Sequence, residues 1–147
     1  MFRGRYEHAI DGKGRVSLPA RYREAMAAEK QEILVVTKSD EPCLVAYTLQ
    51  AFEEFEAKLD GRDAFSGSVR RIKRHIVGNA QECPIDGMGR VLVPTALREY
   101  AGIQKDVVFL GQVSFIEIWS KERWAKAESQ VLDRLPGDLQ TLSELGA

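Results

Sequence analysis

The sequence predicts an α+β, β-rich fold in which two tandem units, each a β-hairpin followed by a helix and strands, share one core. Residues 10–19 recur 75 positions later as residues 85–94, and extending both copies by five residues gives nine identities in fifteen positions. Each copy is also followed by the same order of predicted elements. Because a unit too small to bury its own apolar face must bury it against its copy, we expect a single pseudo-twofold core with flanking helices.

The first copy begins with a turn that joins two short strands. Asp11 supplies a side-chain acceptor for the turn amides, and the two glycines of the turn accept positive φ, so residues 6–10 and 15–18 are predicted as a β-hairpin. Pro19 then fixes φ for the first turn of a helix. The other predicted elements of this half are a helix at residues 20–28 and strands at residues 33–37 and 43–47.

The second copy repeats this order. Pro94 opens its helix and Gly102 closes it, as glycines often do at helix C-termini. In both halves a hydroxyl residue after the last strand, Thr48 or Ser120, is placed to cap a further helix. The predicted strands of this half are residues 81–85, 90–93, 107–110 and 115–119.

Apolar residues recur at helical spacing in the helix that follows each unit, and such stripes usually pack in a core or an interface. They are Leu49, Phe52, Phe55 and Leu59 in the first helix and Trp124, Ala127, Val131 and Leu135 in the second. Because they offer more apolar surface than a small core covers, we expect a homo-oligomer larger than a dimer. The residues expected at its interface are Phe52, Phe55, Trp124 and Val131.

These elements divide the chain into four parts. The first unit spans residues 1–60, and the second, with its C-terminal helix, spans residues 81–135. Between them, residues 61–80 are expected to form a connecting helix with one apolar and one basic face. Residues 136–147 begin with Pro-Gly, have weak periodicity, and are expected to be a tail that frays.

Composition agrees with an ordinary globular body. The chain has 147 residues, of which 44% are apolar and 29% charged, which excludes a disordered or fibrous chain. The first residues have no apolar run of the kind that a signal peptide needs, and no segment approaches a membrane-spanning length, so a cytoplasmic location is expected. Cys43 and Cys83 lack CxxC spacing and adjoin apolar strands, which favours reduced, structural thiols.

The residue types needed for catalysis do not come together in the sequence. Neither His8 nor His75 has a nearby serine, cysteine or carboxylate in a catalytic pattern. The spacings of the histidines and cysteines do not suit a zinc site. The turn with Lys13 between two glycines lacks the Ser or Thr and the helix of a phosphate-binding loop. The sequence therefore indicates a protein that is not an enzyme and needs no cofactor or metal.

Positive charge is concentrated at the first hairpin, although the net charge of the chain is −1. A polyanion responds to a local patch within a Debye length of roughly 8–10 Å. Asp11 can cap the turn and pair with Arg15, which by itself is a structural role that contributes little to stability when exposed. An arginine held by a carboxylate is also pre-oriented for a phosphate or a guanine edge. We therefore expect Arg15 to contact a ligand of this kind.

The second hairpin repeats the pair as Asp86 and Arg90 but has Met88 where the first has Lys13. Because this hairpin has little positive field, Arg90 is expected mainly to stabilise its own turn, and a contact with DNA is left open. A further basic run at residues 70–75 is expected mainly to be a solvated helix face.

These motifs together resemble the MraZ family over nearly the whole chain. They are Met1-Phe2-Arg3-Gly4, Asp11-Gly12-Lys13-Gly14-Arg15, Leu18-Pro19-Ala20-Arg21-Tyr22-Arg23 and Asp86-Gly87-Met88-Gly89-Arg90-Val91-Leu92-Val93-Pro94. The resemblance implies a swapped-hairpin barrel of the AbrB-like group, built here from both halves of one chain. It also implies a bacterial transcriptional regulator that forms rings and binds short direct repeats upstream of the division and cell-wall gene cluster containing its own gene.

The sequence thus favours a sequence-specific DNA-binding repressor of that cluster, located in the cytoplasm at the nucleoid. Arg15 and Lys13 are expected to be its principal contacts with DNA, and Arg3 and Arg5 its contacts with phosphates. Its expected partners are double-stranded DNA and other copies of the chain in a ring. The alternative is an AbrB-like antitoxin-type protein-interaction module, since barrels of this group also occur as antitoxins. Antitoxins usually wrap their partner with a flexible extension, and only about a dozen tail residues are available here.

Overall fold

Residues 1–146 are described by a computed structural model and form eight strands, five α-helices and one π-helical turn. The strands are β1 Arg5–Ala9, β2 Arg15–Ser17, β3 Ile33–Lys38, β4 Leu44–Thr48, β5 Gln81–Pro84, β6 Arg90–Leu92, β7 Asp106–Gly111 and β8 Ile116–Ser120. The helices are α1 Ala20–Ala28, α2 Leu49–Asp60, α3 Gly67–Ile72 with the π-helical turn Lys73–Val77, α4 Thr95–Ala101 and α5 Lys121–Glu144. Two strands, a helix, two strands and a helix occur twice, so the predicted α+β class is confirmed.

The two halves exchange their first strands in the main sheet. Six antiparallel strands have the order β1-β7-β8-β4-β3-β5. This order is symmetric about the β4–β8 pair, because each strand has its repeat equivalent at the mirrored position. Strand β1 of the first half pairs with β7 of the second, and β5 of the second pairs with β3 of the first. Neither half therefore completes its part of the sheet alone.

The return strands β2 and β6 form a separate antiparallel ribbon. The first turn is closed as predicted, since the N–H of Asp11 donates to the carbonyl of Arg15 at 2.9 Å. Beyond the turn β1 and β2 separate, so the ladder expected within each hairpin is replaced by a ladder between the two hairpins. The swapped-hairpin barrel that the resemblance implies stays a prediction.

One apolar core joins both halves. Val16 of β2 lies opposite Val91 of β6, and each is 1% exposed. The same core contains Tyr22 and Met26 of α1 and Phe109 of β7. The rings of Tyr22 and Phe109 meet edge to face, with centroids 6.3 Å apart. Because residues of both units lie in one cluster, the single core expected from the repeat is present.

The helix ends follow the predicted signals. The hydroxyl of Thr48 accepts a hydrogen bond from the N–H of Ala51 at 3.1 Å, and that of Ser120 accepts one from Arg123 at 3.2 Å. Gly102 closes α4 with φ +66°. The caps predicted from the sequence are confirmed.

The C-terminal helix is longer than predicted. Helix α5 continues through Pro136 to Glu144, so residues 136–144 are helical and are not the expected fraying tail. Proline removes one backbone hydrogen bond, but the neighbouring residues of a 24-residue helix keep theirs. The division of the chain into four parts otherwise stays a prediction.

The connection between the units is partly helical, as expected, through α3 and the π-helical turn. The Nζ of Lys73 pairs with Asp60 at 3.1 Å and ties this connection to the end of α2. Among residues 1–146, no helix is both long enough and apolar enough to cross a membrane.

Candidate functional site

The outer face of the β2–β6 ribbon brings side chains of both hairpins together. Arg15 lies opposite Leu92, and Ser17 lies opposite Arg90. Since Val16 points into the core and side chains alternate along a strand, these four side chains share the outer face. Arg15 and Arg90 are thus diagonal neighbours, roughly 7–8 Å apart at the backbone. Sequence reasoning placed them on separate hairpins, and the pairing of the strands places them on one surface.

The first turn orients Arg15 through Asp11. One carboxylate oxygen, Oδ1, accepts hydrogen bonds from the backbone N–H groups of Lys13 and Arg15 at 3.0 and 2.9 Å. The other, Oδ2, accepts one from Nε of Arg15 at 2.7 Å. Within residues 1–146 the two terminal nitrogens of Arg15 have no hydrogen-bond partner, so they are available as a pair of donors.

The second turn reproduces this geometry. Asp86 accepts from the N–H groups of Met88 and Arg90, both at 2.9 Å, and its other oxygen accepts from Nε of Arg90 at 3.0 Å. The side chain of Arg90 is 28% exposed, compared with 37% for Arg15. The tip of this turn is apolar, because Met88 stands where the first turn has Lys13. In both turns the aspartate binds Nε of the arginine, and the two turns differ in the charge of the residue at the tip.

Both aspartates are held in the ionised form. The backbone hydrogen bond from Arg15, together with those from its side chain and from Lys13, lowers the pKa of Asp11 to about 2. The backbone hydrogen bond from Arg90 likewise lowers the pKa of Asp86 from its ordinary value. Hydrogen bonds to the charged form favour that form, so both carboxylates pair with their arginines at neutral pH.

Each turn is covered by an arginine of the other half. Gly14 has φ +91°, and a Cβ there would lie 2.8 Å from both Nε of Arg98 and the carbonyl oxygen of Val93. Gly89 has φ +76°, and a Cβ there would lie 2.8 Å from a terminal nitrogen of Arg23. Sequence reasoning missed this role of Arg23 and Arg98. Their equivalent positions in the repeat were the signal that could have indicated it.

The other basic residues expected at the site differ in their surroundings. Arg5 pairs with Glu7 at 3.2 Å and with Glu128 of α5 at 2.8 Å, so its charge is compensated within the subunit. Arg3 and Lys13 are exposed, and neither forms an ion pair in the described part of the chain. They keep the positive charge that the sequence predicts for this hairpin.

The residues expected between subunits are unequally exposed. Phe52 is 3% exposed, because this side of α2 packs on the sheet, and it therefore has no surface for a partner. Phe55 is half-buried and stacks with Tyr47, with ring centroids 6.3 Å apart. Trp124, near the start of α5, is half-buried and packs against the cluster that contains Val108 and Trp119. Val131 is 47% exposed. Three of the four residues can thus contribute to an external contact.

The duplication seen in the fold is also found when the sequence is compared with a known family. The profile of the family described as "MraZ protein, putative antitoxin-like" matches residues 1–75 and again residues 76–136. The chain belongs to the MraZ family. The resemblance stated from the two hairpin motifs is therefore confirmed, and each MraZ match contains one hairpin.

Three curated bacterial proteins are similar along nearly the whole MraZ chain. One from Coxiella burnetii (strain RSA 493 / Nine Mile phase I) is 42% identical over 151 residues, which cover 97% of this chain and 99% of the relative. One from Legionella pneumophila (strain Paris) is 41% identical over 151 residues, with the same coverage. One from Nitrosospira multiformis is 38% identical over 146 residues, again covering 97% and 99%. All three are named "Transcriptional regulator MraZ", a name that describes no enzymatic activity.

Proposed function

We propose that this MraZ protein is a transcription regulator that binds double-stranded DNA through the outer face of the β2–β6 ribbon. The observation that carries the proposal is the pair of arginines on that face. Arg15 and Arg90 are each held by an aspartate through Nε, at 2.7 and 3.0 Å, with their terminal nitrogens unpaired within residues 1–146. The names of the relatives support the same function.

A two-stranded ribbon has the size and chemistry to read the major groove. The groove of B-DNA admits an antiparallel ribbon, and arginine donates two hydrogen bonds to O6 and N7 of guanine. Each aspartate fixes the direction of its guanidinium before DNA arrives, so less side-chain freedom is lost on binding. Arg15 is the main base contact in this proposal, and Arg90 beside it has a smaller part.

Contacts with phosphates position the ribbon. Lys13 at the turn tip and Arg3 near the N-terminus are exposed, and neither has an ion pair in the part of the chain that the structure describes. Arg5 already pairs with Glu7 and Glu128, so a phosphate has to replace a carboxylate there, and its net contribution is smaller. A local positive patch of this kind attracts DNA although the net charge of the chain is −1.

We further propose that several subunits, arranged in a ring, bind short direct repeats and repress the division and cell-wall gene cluster that contains the gene itself. A modest patch repeated around a ring gains affinity because the first contact raises the effective concentration of the next. Half-exposed Phe55 and Trp124, with Val131, offer apolar surface for the ring contacts. We propose that the protein is located in the cytoplasm at the nucleoid, where the DNA that it binds lies.

The ring is tested by light scattering on the full chain and on two variants, Phe55→Glu and Trp124→Glu. Both are expected to give smaller particles and weaker binding to the DNA upstream of the gene, because the repeated contact is lost. Ala125→Glu adds the same charge at an exposed neighbour on α5 and is the matched control. A wild-type monomer at micromolar concentration would remove the ring.

The second candidate is an antitoxin-type module that binds a protein. The family description contains the term antitoxin-like, which favours keeping this function in view. The segment that could have wrapped a partner is helical to Glu144, not extended. Recovery of the upstream DNA with the purified full chain supports the regulator, whereas a stoichiometric small protein in its place supports the module.

A further inference from the structure

The second half of α5 is exposed along its whole described length. Near the start of the helix, Trp124 and Ala127 pack against a small cluster with Val108 and Trp119. From residue 129 to residue 146, by contrast, every residue is exposed. The helix continues to Glu144 and buries none of its residues in its own subunit.

Four leucines form one apolar line along this segment, here called the leucine seam. They are Leu132, Leu135, Leu139 and Leu142, which are 66%, 41%, 57% and 48% exposed. Their spacings of three, four and three residues are those of successive a and d positions in a coiled coil. The cleft between α5 and the main sheet is lined by other residues of the helix, Val131, Arg134 and Asp138. The leucine seam is therefore not the surface through which α5 faces its own subunit.

Two residues in the middle of the segment make an unsupported helix less favourable. Pro136 has no N–H to donate to the carbonyl of Leu132, and Gly137 is among the least favourable residues in a helix interior. Helices of about 14 residues are marginal in water even when made of better helix formers. Since this segment is helical with both residues present, we infer that packing of its apolar line stabilises it.

We propose that the leucine seam pairs with the leucine seam of a second copy of this chain, as a parallel two-helix coiled coil. A continuous a and d pattern is self-complementary, because the knobs of one helix fit the holes of an identical helix. The same segment of another subunit therefore satisfies every leucine without any additional partner.

The charges beside the seam favour an identical, parallel partner. The flanking e and g positions are Ser129, Val131, Pro136, Asp138, Ser143 and Leu145. Asp138 is the one charged residue among them, and in a parallel pair it faces the position of Ser143 in the second copy. An antiparallel pair would set the two Asp138 carboxylates against each other, where like charges repel.

The seam adds to contacts made elsewhere. The seam contains two successive pairs of a and d residues, whereas a sustained coiled coil has three or four heptads. Two free subunits therefore associate only weakly through it. Two subunits that are already held close to each other about a twofold axis have a high effective concentration of the second helix, and there the seam closes. It begins at Leu132, directly after Val131, so one end of the seam adjoins the ring contacts proposed above.

Disulfide trapping on the full chain tests the pairing. In a parallel pair two Leu135→Cys residues meet in the same layer, so mild oxidation is expected to give a covalent dimer. Thr141→Cys, about 120° away around the helix, is the matched control and should yield several-fold less dimer. Cys43 and Cys83 are buried, and burial raises the pKa of both thiols, so neither competes. Equal yields from both variants would overturn the pairing.

The direction of the helices is tested in the same assay. A disulfide that forms only when the Leu135→Cys and Leu139→Cys chains are mixed is the pattern of antiparallel layers and would overturn the parallel arrangement. A disulfide in Leu135→Cys alone supports it.

A second measurement does not depend on oxidation. Leu139→Lys places a charge in the seam, whereas Thr141→Lys places the same charge on the other side of the helix. Sedimentation at high protein concentration should show a loss of average particle mass for Leu139→Lys only. At concentrations too low for the seam to close, both variants should melt like the wild type, because neither residue is buried in the subunit. An unchanged mass for Leu139→Lys would contradict the proposal.

Discussion

Replacing Arg15 by alanine is the sharpest test of the DNA interface. The change removes the guanidinium that Asp11 holds at 2.7 Å, together with its unpaired terminal donors. A bidentate contact with a guanine edge contributes about 1–3 kcal/mol, which is roughly a 5- to 140-fold loss in Kd for each engaged subunit. If two subunits bind neighbouring repeats, the two losses multiply, and specific binding is expected to disappear.

Arg90→Ala provides an internal comparison on the same face of the ribbon. Its geometry with Asp86 is nearly the same, but its turn has Met88 at the tip and its side chain is less exposed, at 28%. We therefore expect a smaller loss of affinity than for Arg15→Ala.

The assay is a fluorescence titration of labelled upstream DNA, repeated at several salt concentrations. Arg62→Ala removes the same charge in the connection after α2 and is the matched control. Loss of a base contact should weaken binding to the repeats more than to unrelated DNA. Loss of a phosphate contact should weaken both alike and reduce the slope of log K against log salt by about 0.9.

The folding of the variant is checked by thermal melting and its assembly by light scattering. Both should be unchanged, because an exposed ion pair contributes little to stability. Wild-type affinity in a correctly folded and assembled Arg15→Ala protein would refute the role of Arg15. Equal losses in the Arg15 and Arg90 variants would show that both hairpins contribute equally.

Three further predictions concern the fold. Gly14→Ala should lower the free energy of unfolding, measured by urea titration, by about 1–3 kcal/mol, because the added Cβ meets Arg98 and the backbone has positive φ. Gly12→Ala is the control and should lower the free energy of unfolding much less, because no atom lies within 4 Å of its added Cβ. A fragment of residues 1–60 should dimerise, aggregate or stay unfolded, since it lacks the strand that pairs with β1. A folded monomer in gel filtration that melts cooperatively would contradict the shared core. Burial, then the charge of Arg23, lowers the pKa of His8. Stability should therefore decrease as the pH falls below roughly 7, because the unfolded chain takes up the proton first. His8→Gln should weaken this dependence of the urea midpoint on pH.

Much of the candidate site could be predicted because its chemistry is local. Asp11 and Arg15 are four residues apart, and the turn between them dictates that the carboxylate meets the arginine. The role of Arg98 could not be predicted in the same way, because it covers Gly14 across 84 residues of chain. The ion pair between Arg5 and Glu128 was missed for the same reason, since the position of α5 on the sheet decides it.

The sequence by itself determined the repeated unit, the turn that holds each arginine, the caps of α2 and α5, and the family. These features depend on neighbours within a few residues, whose hydrogen bonds and backbone preferences are the same in any surroundings. Only the tertiary structure decided that β1 pairs with β7, that β2 pairs with β6, and that Arg15 and Arg90 lie on one face. Those pairings join residues of different halves, and their register depends on burying Val16 and Val91 together, which no local pattern specifies.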